Sequence, residues 1–179
     1  MIAGGAQGTV AAAYWRLDRL SVLVVDDDPE ITALLCDLFA ALGFARTVAA
    51  PSGEVARAML ADRSAAPVDL VVADVAVAPD RRATLTDWIR RHPRSPNRYL
   101  PVIVLADATD LEAALAVRAR GATEVLVKPV TVDSLCAVLE AIIEAPRQFV
   151  DTRSYFGPDR RRHEMPYRGG ERRDEPGAP

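Results

Sequence analysis

The sequence predicts an α/β domain built on a doubly wound, five-stranded parallel sheet. Three observations lead there. Five short apolar runs, at residues 21–25, 47–50, 68–73, 101–105 and 124–127, alternate with five segments of helical periodicity. The runs are short and mostly apolar instead of alternating, too apolar to have a wet face, so they need helices on both sides. Three of them finish in charge: Asp26-Asp27-Asp28, Asp74 and Lys128. Right-handed crossovers make such strands an open sheet, whose ligands bind beyond the carboxyl ends, near where the strand order reverses. The charged residues all fall at those ends.

The elements follow in order. Residues 1–19 form an N-terminal extension, Ala- and Gly-rich, with one aromatic pair, Tyr14-Trp15, expected to dock on the domain. After the first strand, Asp28 can cap a helix and Pro29 can open it, because the missing N–H would be unpaired there anyway. Apolar residues at 31, 34, 35, 38, 39 and 42 repeat at helical spacing until Gly43. Ser52 can cap the next helix, through about Leu60. The stretch 75–83 reads as irregular. A helix through Leu85, Trp88 and Ile89 is broken by Pro93 and Pro96. Thr109 or Asp110 can cap a helix to Arg120, and Gly121 ends it. Thr131 or Asp133 starts the last helix, to about Glu144. The domain is therefore expected over residues 20–145. Beyond it the regular pattern stops, and residues 146–179 read as an arginine-rich, disordered tail.

The chain has 179 residues, half of them hydrophobic and about a quarter charged, which suits one domain with a real core. The net charge of −3 argues against a general nucleic-acid binder. It hides an asymmetry, since residues 147–179 carry eight arginines against six acids. The two cysteines, Cys36 and Cys136, lie in helical patterns without metal-ligand spacing and are expected as buried core thiols. No apolar run is long enough to span a membrane, and the N-terminus lacks the pattern of a signal peptide, so a cytoplasmic location is expected.

Lys128 is the only lysine; the other twenty-one of the twenty-two basic residues are arginine. Carboxylates crowded at one end of a sheet repel and need a counter-ion. Mg²⁺ suits them, being hard, oxygen-seeking and content with one or two carboxylates plus waters and phosphate. Lysine supplies a mobile point charge for a phosphoryl oxygen. An aspartate facing both can act as a nucleophile toward a phosphorylated donor, forming an acyl phosphate. Any one of these acids alone reads as a turn residue or a helix cap. Their conjunction at three strand ends with the sole lysine points to a shared site.

These residues carry a resemblance. Val22-Leu23-Val24-Val25-Asp26-Asp27-Asp28-Pro29-Glu30-Ile31 resembles the opening of a bacterial response-regulator receiver domain of the chemotaxis-regulator type. Asp69-Leu70-Val71-Val72-Ala73-Asp74 is similar to the strand presenting its phospho-accepting aspartate. Pro101-Val102-Ile103-Val104-Leu105 resembles its fourth strand, and Gly121-Ala122-Thr123-Glu124-Val125-Leu126-Val127-Lys128-Pro129 its fifth. The resemblance implies that Asp74 is phosphorylated and that Lys128 contacts the phosphoryl group. It further implies that Asp26, Asp27, Asp74 and the backbone carbonyl of Ala76 hold Mg²⁺, and that the Lys128–Pro129 bond is cis. A histidine kinase or phosphotransfer protein would be the donor, and a protein not named by the sequence the downstream target. Such a chain is not an enzyme but a stand-alone phosphoryl acceptor. The chain departs from the family at two switch positions: Ala106 replaces the usual Ser or Thr, and Val125 the usual aromatic. The loop after Asp74 also departs, with Pro79 late and Asp80-Arg81-Arg82 in place of a glycine turn. These departures leave open a pseudo-receiver, an interaction module without a working switch.

In the tail, Phe156-Gly157-Pro158-Asp159-Arg160-Arg161 is echoed twelve residues later by Arg168-Gly169-Gly170-Glu171-Arg172-Arg173. Paired arginines fork onto phosphates and stack on rings. Arg160, Arg161, Arg162, Arg172 and Arg173 are thus candidate anion-binding residues. The tail resembles those of receiver-like proteins that bind cyclic di-GMP, which implies that ligand as an alternative. No DNA-binding segment is recognisable after the domain.

Overall fold

The computed structural model describes residues 15–77, 84–109 and 111–160. Five parallel strands form one sheet in the order β2-β1-β3-β4-β5: β1 Ser21–Val25, β2 Arg46–Ala50, β3 Leu70–Asp74, β4 Val102–Ala106 and β5 Glu124–Val127. The expected doubly wound sheet is therefore the observed one. Helices α1 (Pro29–Ala41) and α5 (Val132–Glu144) cover one face; α2 (Gly53–Ala61), α3 (Leu85–Arg91) and α4 (Leu111–Ala119) cover the other. Each face has its own core. Val22, Val24, Val72, Ile103 and Leu105 meet Leu35, Phe39, Leu135 and Leu139. Leu23, Val25, Val71, Val102 and Val104 meet Ala56, Leu60, Leu85, Ile89 and Val117. Successive strand residues thus feed alternate cores, which is why the central strands β1, β3 and β4 are apolar on both faces.

Local chemistry starts and stops the helices. The Asp28 carboxylate accepts from the backbone N–H groups of Glu30 and Ile31, with Pro29 in the first turn. Ser52 caps α2, and Thr131 closes a reciprocal capping box with Ser134 at α5. Gly121 ends α4's turn with φ +99°, a left-handed conformation that disfavours a Cβ. Cys136 is buried and Cys36 half-buried, both free. Before β1, Leu17 is buried and Trp15 packs on the α1–α5 side, its ring N–H donating to Glu144 (3.1 Å). The extension thus docks through Trp15; Tyr14 lies outside the described residues. No helix among the described residues is long and apolar enough to cross a membrane.

Two differences from the sequence reading matter. Leu34 shares the spacing of the core residues of α1 but stands in solvent. The tail, expected to be disordered from residue 146, instead continues as an antiparallel hairpin, β6 (Phe149–Asp151) with β7 (Phe156–Pro158). The hairpin sits at the amino ends of the strands. Tyr155 and Phe156 are buried, the Tyr155 hydroxyl donates to the Pro158 carbonyl (2.7 Å), and Tyr99 meets both Phe149 and Phe156 edge-on. Gly157 lies so close to Gly121 that a Cβ there would fall 2.6 Å from the Gly121 Cα. Under the hairpin Arg90 is 1% exposed. It donates to the carbonyls of Gly121 (2.9 Å), Arg98 (3.0 Å) and Leu100 (2.6 Å) and to the Thr123 hydroxyl (3.3 Å), with the Phe149 ring over it. Three-residue strands with Gly and Pro are too short for periodicity to register, so aromatic packing holds what composition reads as loose.

Candidate functional site

The sheet's register builds the site. Val25 pairs with Ala73 across β1 and β3, so the following residues, Asp26 and Asp74, come abreast at the carboxyl ends. The strand order reverses between β1 and β3, the place where such sheets bind ligands. On the other side of β3, Ala106 at the end of β4 pairs with Val127 at the end of β5, and the Ala106 carbonyl accepts from the Lys128 N–H (2.9 Å). The Lys128 side chain then reaches back over β4. Its ammonium forms an ion pair with Asp74 and lies 3.9 Å from Asp26 Oδ2. The Lys128–Pro129 bond is cis.

Asp26 is 4% exposed and Asp74 9% exposed. One oxygen of each is tied locally: the Asp28 N–H donates to Asp26 Oδ1 (2.9 Å) and the Ala76 N–H to Asp74 Oδ1 (2.6 Å). The second oxygens face Lys128, and Asp26 Oδ2 is buried without a hydrogen-bond partner. Burial pushes the Asp26 carboxyl above its ordinary value, and the charges of Asp74 and Asp27 add to the rise. Burial pulls the Lys128 ammonium down, but Asp74, Asp26 and Asp107 outweigh it and hold the pKa above its ordinary value.

Asp26, Asp74 and Lys128 are therefore brought together. Asp27 remains exposed at the rim, close enough for its charge to act on Asp26. Ala76 meets Asp74 through its amide. Among the described residues no three His, Cys, Asp or Glu side chains form a ready metal cage. An orphaned buried carboxylate oxygen beside a second carboxylate nevertheless suits a hard divalent cation that keeps waters in its shell. Ala106 is fully buried and offers no hydroxyl; Val125 is half-buried in β5. Sequence reasoning did not assign Asp107 its part in holding Lys128 charged; its place directly after β4 was the available signal.

Of the five candidate anion-binding arginines, Arg160 belongs to the hairpin end, its guanidinium 4.0 Å from the Tyr155 ring. Arg161, Arg162, Arg172 and Arg173 lie outside the described residues, as do Pro79 and Asp80-Arg81-Arg82.

The model of the response regulator receiver domain matches residues 22–140. The chain belongs to this family. The transcriptional regulatory protein ZraR of Escherichia coli O157:H7 is 33% identical over 147 residues, which is 78% of this chain and 31% of that protein. A probable chemotaxis protein CheY of Rhizobium etli is 27% identical over 128 residues, 72% of this chain and 95% of that protein. The crystal structure of a response regulator receiver protein from Pseudomonas putida superimposes with a TM-score of 0.58 at 30% identity, covering 68% of this chain and 96% of that one. The chain spans less than a third of the length of the transcriptional regulators it matches. As a receiver it is a module of two-component signalling.

Proposed function

We propose that Asp74 is the phosphoryl acceptor of this receiver, charged by a histidine kinase or phosphotransfer protein. The observation that carries it is the Lys128 ammonium paired with Asp74 beside an unsatisfied, buried Asp26 oxygen. A carboxylate oxygen of Asp74 attacks the phosphorus of a phosphohistidine donor; the P–N bond breaks, the electron pair returns to the imidazole, and an acyl phosphate forms. The Ala76 amide holds the other carboxylate oxygen, which fixes the direction of attack. Lys128 moves from the Asp74 carboxylate to the phosphoryl oxygens, keeping one positive charge over the transferred group. Asp26, Asp27, Asp74 and the Ala76 carbonyl would hold Mg²⁺, which supplies the remaining neutralisation of phosphoryl charge.

The test is phosphotransfer read by the mass of the peptide containing Asp74, with acetyl phosphate or a phosphorylated kinase, with and without Mg²⁺. The wild type gains one phosphoryl group only with the metal, and Asp74→Asn gains none. Equal labelling of the two chains would remove Asp74 from the role.

A second reading, an interaction module with the fold but no phosphorylation-driven switch, is favoured by Ala106, buried where the usual hydroxyl would stand. One comparison tests the switch: wild-type amide spectra that shift on phosphorylation remove the second reading, whereas spectra that stay unchanged while those of phosphorylated Ala106→Thr shift support it.

A further inference from the structure

Two helices on opposite faces of the sheet each leave one leucine in solvent. Leu34 on α1 is 62% exposed and Leu115 on α4 is 59% exposed, the largest values among the described large apolar side chains. Leu34 lies on one row of α1 with the exposed Ala41 two turns on, and the exposed acids Glu30 and Asp37, one turn to either side, form the next row. Leu115 stands beside the exposed Ala116 and Ala119. Here the boundary is basic: Leu115, Arg118, Ala119 and Arg160 line one open concavity, and Arg160 is held in place by its stacking on Tyr155. Glu112, one turn before Leu115, marks the acidic limit of that basic rim.

We propose that these faces bind each other between two copies of the chain: the Leu34 stripe of α1 docks in the Leu115–Arg160 concavity of the next molecule. Leu34 and Ala41 meet Leu115 and Ala119, and Glu30 and Asp37 meet Arg118 and Arg160. Opposite charge around a small apolar centre sets orientation and register. Because α1 and α4 lie on opposite faces of the sheet, one molecule cannot satisfy both partners in a symmetric pair. The contact is head-to-tail and propagates. The hairpin thereby gains a role, since it is what carries Arg160 to the α4 concavity. The inference is independent of phosphorylation.

Sedimentation velocity of the full chain tests it, from about 10 μM to about 1 mM, the range of small, weak interfaces. The average mass rises past twice the monomer without a plateau at low salt, and falls back toward monomer in about 0.5 M salt, where surface charge is screened. Leu34→Glu and Leu115→Glu are each monomeric alone. Mixed in equal amounts they form a capped heterodimer that stops at two, because each retains the face the other lacks. Both positions are exposed, and thermal melts matching the wild type establish that the variants are folded. A wild type that stays monomeric throughout, one that saturates as a dimer, or a mixture that remains monomeric would each overturn the proposal.

Discussion

The two ends of the sheet hold a cationic group in opposite ways. At the carboxyl ends, Lys128 lies among carboxylates that outnumber it, and one oxygen of Asp26 has no hydrogen-bond partner. At the amino ends, Arg90 lies among three carbonyls, one hydroxyl and an aromatic ring, none of them acidic. Burial pulls the Arg90 guanidinium down to about 10, while the carboxylates around Lys128 hold the ammonium up. The first end is left unbalanced, with acceptor capacity still to fill. The second is closed, with oxygens for its donors and glycine against glycine at its centre. Unsatisfied groups at one end are where a ligand or a transferred group gains most; satisfied groups at the other keep the frame from moving.

Breaking the closed end has the largest expected effect. Arg90→Met keeps an apolar stem but strips the donors from the carbonyls of Gly121, Arg98 and Leu100, at a cost of about 3–5 kcal/mol. Urea unfolding should show that loss, while the remaining folded protein still accepts a phosphoryl group at Asp74. A loss under about 1 kcal/mol would mean that water replaces the guanidinium and that the end is not closed. The open end responds in the other currency. Lys128→Ala should slow phosphotransfer by about 100-fold, near 2.7 kcal/mol of barrier. Its denaturation midpoint should move far less than that of Arg90→Met. A rate within about 3-fold of wild type would leave Lys128 as no more than a counter-ion.

The next test addresses the seam between hairpin and domain. A Cβ at Gly121 would fall 2.7 Å from the Phe156 carbonyl oxygen, at a φ of +99°. Gly121→Ala should cost about 2 kcal/mol, combining left-handed strain with displacement of β7. Hydrogen exchange at residues 149–158 should quicken, while β1 and β3 stay protected. Unchanged protection of the hairpin would show that it does not depend on that contact.

The same comparison shows what could be read from the chain before any coordinates. The open end was legible because its residues punctuate strong patterns: Asp26 and Lys128 directly follow apolar strand segments and Asp74 ends one, and parallel pairing then aligns them. Asp27 was legible as an acid but not as one of the two exposed members of its triplet, since adjacent residues past a strand end diverge according to local hydrogen bonds. The closed end was not legible. Arg90 sits in an ordinary-looking helix, and its partners come from residues 98, 100, 121 and 123, which sequence spacing cannot bring together. Tyr155, Phe156 and Gly157 look like linker chemistry until Tyr99 and Gly121 are set beside them. Leu34 carried the right period for the core and still faces water, because a stripe of apolar residues wider than the buried face must spill over one edge.

The smallest effect sharpens the contrast within the hairpin itself. The Tyr155 hydroxyl is buried and donates to the Pro158 carbonyl, and burial raises its pKa above the ordinary tyrosine value. An acid whose pKa is raised on folding contributes stability in full below its unfolded value of about 10 and loses it as pH climbs toward the folded value. Tyr155→Phe removes the hydrogen bond and should cost about 1 kcal/mol at neutral pH. The gap between the two chains should then narrow above about pH 10, because the wild type alone must ionise a phenol on that side of the transition. A gap that holds constant to the alkaline limit would mean that the phenol reaches water and that the hairpin end is not closed around it.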